Sequence, residues 1–194
     1  IHNCERALER AAEQAGFLPD PVIMGMAGEL VKGTTTTVSV ARPQPTTKIS
    51  LSELQKIIQD VQQRAFDRAR EVIGFETGVD QVDIRLVNAA IVDVTIAGYR
   101  VSNPIGFQGK EVNVGVFNAF APLVHLGAYE TVAEELKLDI LSIAAEPYAV
   151  SRVFGPETTQ EFSAIFIDIG GGTTDIAVVQ NGGVIGTKMF AIGG

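Results

Sequence analysis

Two aspartates separated by glycines and threonines carry the densest chemistry in this sequence. The stretch reads Phe166-Ile167-Asp168-Ile169-Gly170-Gly171-Gly172-Thr173-Thr174-Asp175-Ile176-Ala177-Val178-Val179. Residues 164–169 are apolar except Asp168, and the apolar run resumes at Ile176. The pattern predicts two strands joined by a glycine-rich turn. Three consecutive glycines are free to take positive φ and to let another group approach the backbone. Successive unblocked N–H groups in such a turn form a concavity suited to an anion. Asp168 and Asp175 would repel a phosphate unless a cation lay between, and Mg²⁺ with its waters serves both partners. The hydroxyls of Thr173 and Thr174 add hydrogen bonds. The alternative is a plain β-hairpin with a flexible turn. The complete pattern of strand, Asp-x-Gly-Gly-Gly-Thr-Thr-Asp and strand is more specific than a lone glycine loop. The dinucleotide fingerprint does not fit, because it opens a helix and the β-branched residues here favour a strand.

The elements that must hold this turn follow from periodicity. Residues 3–15 predict a helix with Asn3 as N-cap, a stripe of Cys4, Leu8, Ala11, Ala12 and Ala15, and Gly16 as its stop. Pro19-Asp20-Pro21 predicts a turn and Val22 to Ala27 a short buried strand. Thr34 to Val40 is a β-branched run, and its Thr34 to Thr37 part is read as a β-edge, the alternative being a phosphorylation cluster. Ala41 to Lys48 is a loop. Ser50 and Glu53 form a capping box, and a helix follows to about Ile73. Its stripe is Leu54, Ile57, Ile58, Val61, Ala65, Ala69, Val72 and Ile73, with Gly74 closing it. Asp67, Arg68, Arg70 and Glu71 form its solvated face. Asp83 to Asn88 and Ile91 to Ala97 are two strand candidates, Gly98 to Lys110 a polar connection, and Glu111 to Phe117 a further strand. Residues 119–137 read as mostly helical, facing inward with Leu126, Tyr129, Val132, Ala133 and Leu136. Ile140 to Ala144 is a strand, and Glu146-Pro147 opens a helix through Phe154. Gly155-Pro156 ends it and residues 157–161 form a linker. Gly182-Gly183 is a second hairpin turn, before a strand from Thr187 to Ile192.

Composition narrows the function class. The chain has 194 residues, 46% hydrophobic and 20% charged, with a net charge of −8. Such a chain can bury one or two domain cores. An acidic chain without basic clusters is a poor nucleic-acid binder. Cys4 is the single cysteine, so no intrachain disulfide forms and a reducing compartment is expected. No apolar run approaches the roughly 18 residues that span a bilayer, and no signal peptide is visible. His2 and His125 lack ligand partners at metal spacing. The chain opens in mid-helix and stops just after a strand, so we expect an excised part of a longer protein.

The hairpin motif resembles the second phosphate motif of the actin-like ATPase superfamily, which includes actin, the heat-shock chaperone ATPases, MreB, FtsA and PilM. That resemblance implies ATP and Mg²⁺ as cofactors. Asp168 would hold the Mg²⁺ hydration shell, Gly170, Gly171, Gly172 and Thr173 would meet the β/γ-phosphates with Thr174 beside them, and Asp175 would sit near the attacking water. Ile143-Ala144-Ala145-Glu146-Pro147-Tyr148-Ala149-Val150 looks like the first connecting motif, in which Glu146 helps position Mg²⁺ or the water. The alternative for Glu146 is a helix-start carboxylate stabilised by the helix dipole. The insertion between the αβ units, with Asn103-Pro104-Ile105-Gly106-Phe107-Gln108-Gly109 before its last strand, resembles subdomain 1C of the FtsA family of bacterial divisome proteins. PilM, which carries a similar insert, is the second candidate.

The fold implied is α/β, an actin-like (ribonuclease-H-like) lobe with an inserted small α+β subdomain ordered strand-helix-strand-strand. Residues 1–33 and 119–160 would belong to subdomain 1A, 34–118 to the inserted subdomain 1C, and 161–194 to the start of subdomain 2A. By the same resemblance the whole protein would bind ATP, form filaments, and tether a tubulin-like division ring with other divisome proteins at the inner face of the cell membrane, reached through a segment absent from this chain. Any ATPase activity would be slow, and the chain alone would bind nucleotide weakly or not at all. A protein–protein docking module with an inert nucleotide motif is the alternative from another class.

Overall fold

The computed structural model describes residues 1–18, 20–154 and 162–194. Pro19, the expected end of the Glu-Pro helix at 155–156 and the linker at 157–161 lie outside the described residues. Helix α1 (His2–Ala15) leads to strand β1 (Val22–Met26) and strand β2 (Lys32–Ala41). Helix α2 (Leu51–Thr77), β3 (Ile84–Ile96), β4 (Tyr99–Arg100) and β5 (Glu111–Pro122) follow. Helix α3 (Leu123–Glu135), β6 (Ile140–Ala145) and α4 (Glu146–Phe154) then lead to β7 (Ala164–Ile169), β8 (Thr174–Gln180) and β9 (Gly183–Phe190).

Two sheets result. β1 and β6 form a parallel pair, with Met26 beside Ala145 at its end. The other strands form one seven-stranded sheet in the order β4-β3-β5-β2-β9-β8-β7. Strands β2, β3 and β5 with α2 on one face make the strand-helix-strand-strand module. A β2–β9 contact at Thr34 and Gly186 joins that module to the glycine hairpin, and the Thr35 hydroxyl adds a bond to the Val184 carbonyl at 2.5 Å.

β5 is buried on both faces because its alternating side chains serve two cores. Val112, Val114 and Val116 face α2 and pack with Val38, Leu54, Ile57 and Val61. Phe117, Ala119 and Ala121 face the other way, into a core with Met26, Leu126, Ala145, Val179, Val184 and Met189. Strand β5 therefore ties the inserted module to the rest of the lobe.

Several boundaries differ from the sequence expectations. Asn3 is inside α1 and Ile1 stands at its N-cap without a side-chain bond, although Gly16 closes the helix in the left-handed region at φ 78°. α2 does not stop at Gly74. The Thr77 hydroxyl bonds the Ile73 carbonyl at 2.7 Å and Gly78, at φ 69°, makes the left-handed stop. Val72, expected in the buried stripe of α2, is 39% exposed. The two strand candidates at 83–97 are one strand, whose pairing slips between Leu86 and Asn88 and again between Ile91 and Asp93. The polar connection after it hides β4, which pairs back through a two-residue turn with Ala97 at φ 49° and Gly98 at φ 83°, the backbone a tight hairpin needs. Residues 119–122 continue β5 because the buried Phe120 packs under α2 against Ala65 and Ala69, and the helix starts at Leu123. Thr34 and Thr35 are not an edge, since β9 covers them.

Candidate functional site

The site is built where the β7–β8 turn meets the start of α4. In the hairpin, Asp168 pairs with Asp175, and Ile169 with Thr174. Directly opposed residues share a face, so both carboxylates point to one side. The turn Gly170–Thr173 closes with a bond from the Gly170 N–H to the Thr173 carbonyl at 2.8 Å.

The three glycines leave the surface of the turn open, and positive φ is not what selects them. None of Gly170, Gly171 or Gly172 takes a left-handed conformation. A Cβ added at Gly171 or Gly172 would meet nothing within 4 Å, whereas one at Gly193 would lie 2.5 Å from Gly171 C and Gly172 N. A second glycine loop thus backs the turn. The Gly194 N–H bonds the Gly170 carbonyl at 3.0 Å, and the Thr174 hydroxyl donates to the Ile192 carbonyl at 2.6 Å. The sequence reading missed Gly193. The Gly193-Gly194 pair was its signal, but only the fold shows that a side chain there would strike the turn.

Three carboxylates converge electrostatically. Asp175 is 5% exposed. Its Oδ2 accepts from the Thr173 hydroxyl at 3.4 Å, and its buried Oδ1 has no protein donor. Burial pushes the Asp175 pKa up, the Thr173 hydroxyl pulls it down, and the Asp168 charge raises it. Glu146, the first residue of α4, is half-buried. Its pKa is raised by burial first, then by Asp175, then by Asp168. Asp168 itself is exposed at the end of β7. All of Glu146, Asp168, Asp175 and the glycine turn are therefore brought together, with Thr173 facing Asp175 and Thr174 bracing the second loop.

Helix α4 can reach the hairpin because of its own packing. Tyr148 stacks on Phe117 of β5, ring centroids 5.1 Å apart and 9° from parallel, and the Ser151 hydroxyl bonds back to the Tyr148 carbonyl at 2.7 Å. The loop after β1 holds the far side. The Gly28 N–H points at the Met189 sulfur at 3.1 Å, and a Glu29 carboxylate oxygen accepts the Ala191 N–H at 3.0 Å.

Among the described residues no three His, Cys, Asp or Glu side chains are placed to hold a metal ion directly. His2 lies 3.8 Å from Glu5 on an exposed helix face. No helix among the described residues is long and apolar enough to cross a membrane.

No protein-family model matches the chain. Curated relatives do. The cell division protein FtsA of Bacillus subtilis is 23% identical over 194 residues, covering 100% of this chain and 41% of its own length. FtsA of Neisseria meningitidis is 29% identical over 113 residues, 58% of this chain and 27% of that protein. FtsA of Pseudomonas aeruginosa is 23% identical, covering 100% of this chain and 43% of its own length. The chain thus spans about two fifths of the relatives that match it along its whole length. Among solved structures, a chain of the PilM-PilN type IV pilus biogenesis complex superposes with a TM-score of 0.56 at 12% identity, over 98% of this chain and 48% of that one. By its sequence the chain is FtsA-like, and by its fold it is an actin-like α/β lobe of the kind that the PilM chain shares.

Proposed function

We propose that this chain is the phosphate-binding part of an FtsA-like protein that binds MgATP. The observation that carries the reading is the self-repelling cluster of Glu146, Asp168 and Asp175 beside an open glycine turn. Holding the buried Asp175 and the half-buried Glu146 ionised beside the exposed Asp168 costs free energy, which a proton or a bound counter-charge offsets. The buried Asp175 Oδ1 without a protein donor fits such a partner. Because the carboxylates do not converge as direct ligands, a cation would meet them through its water shell, as Mg²⁺ commonly does. The bound nucleotide would supply phosphates for the turn and, with its metal, the missing positive charge. Asp168 would hold the hydrated ion, while the N–H groups of Gly171, Gly172 and Thr173 would take the phosphate oxygens, with Gly170 closing the turn beneath them through its bond to the Thr173 carbonyl. Asp175 and Glu146 would orient a water, and Thr174 would keep the turn against residues 192–194. Any hydrolysis would be slow.

In the whole protein, ATP would drive self-association into filaments. The inserted module at 34–118, between the 1A parts (1–33, 119–160) and the 2A start (161–194), would face partners such as the tubulin-like division protein. The protein would work in the cytoplasm at the inner face of the membrane. Likeness to the PilM chain of a PilM–PilN complex supports a second reading, a pilus-assembly adaptor or docking module with an inert nucleotide motif.

Calorimetry separates these readings. MgATP is titrated into the complete gene product, its Asp168→Ala variant and the 194-residue chain. Binding by the complete protein, lost in Asp168→Ala and weak in the chain alone, supports the nucleotide reading. Absence of binding in the complete protein favours the docking module.

A further inference from the structure

A side-chain bond ties Glu146 to the inserted module. The pairing of β3 with β5 slips between Leu86 and Asn88, and such a slip re-aims the side chains that follow it. Here the Asn88 Oδ1 accepts the backbone N–H of Ala145 at 3.1 Å. Ala145 is fully buried, ends β6, and directly precedes Glu146. The other Asn88 amide atom, Nδ2, is buried without a protein acceptor. An apolar side chain would avoid that unmet donor. What the amide provides in return is the bond to the strand end that carries Glu146.

We propose that Asn88 is a positioning residue which, through the Ala145 N–H, sets where the Glu146 carboxylate stands against Asp168 and Asp175, and so couples the inserted module to the nucleotide site. This rests on reading those carboxylates as that site. Two elements with different tasks meet at this bond. β3 belongs to the module offered to partners, and the β6–α4 junction belongs to the site. A displacement of β3 moves the acceptor of Ala145, and a ligand that pulls on Glu146 acts back on β3 to the same extent.

Hydrogen exchange on the complete gene product tests it. Asn88→Leu keeps the volume and removes the acceptor, Asn88→Ala repeats the loss without bulk, and Asn88→Asp keeps an oxygen at the same reach. Exchange at 143–149 is expected to rise about tenfold in the Leu and Ala variants, the effect of losing one net hydrogen bond, with α2 unchanged and with rescue in Asn88→Asp. The MgATP Kd should weaken in the same two variants, while Asn88→Asp, which adds a charge beside the carboxylates, is read by exchange alone. Unchanged exchange at 143–149, or equal loss in Asn88→Asp, overturns the proposal. If wild type binds no MgATP, the nucleotide reading fails, and the exchange data still decide whether Asn88 positions Glu146.

Discussion

Asp175 is the residue on which the electrostatics of the site turn. It is nearly buried, faces a second aspartate across the hairpin, and has a hydroxyl partner on one oxygen only. Its raised pKa has a definite sign for stability. The folded state holds the proton more tightly than the unfolded one, so this group's contribution is complete below the unfolded value near 4. It is lost as pH rises through the folded value. Asp175→Asn should therefore raise the Tm of the ligand-free chain at pH 7 by about 2–4 °C, the shift that about 1 kcal/mol gives in a domain of this size. Thermal melts at pH 7 and below pH 4 check this, since the gain should vanish once the carboxyl is protonated. If the site holds MgATP as proposed, the same change should weaken that binding or slow any hydrolysis in the complete protein, so that stability and site chemistry move in opposite directions.

At the scale of elements, the inserted module is held together by a buried arginine. Arg42, at the end of the β2 strand ladder, is 5% exposed. It donates to both oxygens of Glu53 at 2.6 and 3.1 Å, to the Gly109 carbonyl at 3.0 Å and to the Thr47 hydroxyl at 3.3 Å. Glu53 is also the third residue of α2, where the hydroxyl of the N-cap Ser50 accepts the Glu53 N–H at 3.2 Å. One ion pair thus fastens the helix start to two loops. The Arg42 partnership, ahead of the burial cost, holds the Glu53 pKa below the ordinary carboxylate range. Arg42→Ala should cost about 2 kcal/mol in urea unfolding at pH 7. That is less than a fully buried pair would lose, because a third of the Glu53 side chain is open to water. The deficit should shrink as pH falls through the depressed Glu53 value, where the wild-type pair is itself lost. The capping box was legible in the sequence because Ser50 and Glu53 are neighbours along the chain. The arginine was not, because Arg42 reaches Glu53 across a folded loop.

Over the whole molecule, protection is unevenly distributed. β5 is buried on both sides and paired on both edges, with β3 and β2. α1 buries no residue, and Phe17 and Leu18 after it are 64% and 52% exposed. Helix propensity alone holds so short a helix poorly. Native-state hydrogen exchange should show the α1 amides opening well below the global unfolding energy, with the β5 amides exchanging only by global unfolding. Equal protection of α1 and β5 would mean that α1 has a cover of its own. The same contrast explains which boundaries were legible. α2 was read nearly whole because a long stripe of Leu54, Ile57, Val61, Ala65, Ala69 and Ile73 survives a change in packing partners. The end of β5 reads as helix in the sequence because residues 119–121 are apolar in succession, and a run buried on both sides loses its period of two.

The local devices of this protein follow from residues that are neighbours along the chain. These are the glycine hairpin with its paired aspartates, the Ser50–Glu53 cap, the alternation of Val112, Val114 and Val116, and the Glu-Pro start of α4. Each depends on residues within a turn or two of one another, where backbone geometry leaves few choices. What these devices do to each other depends on the fold. It placed Glu146 in the field of Asp168 and Asp175, set Gly193 against Gly171 and Gly172, and carried Asn88 to Ala145. Those contacts join residues far apart in the chain. They rest on the β7–β8–β9 pairing, the β1–β6 register and the slip in β3, which depend on which side chains the shared core can bury.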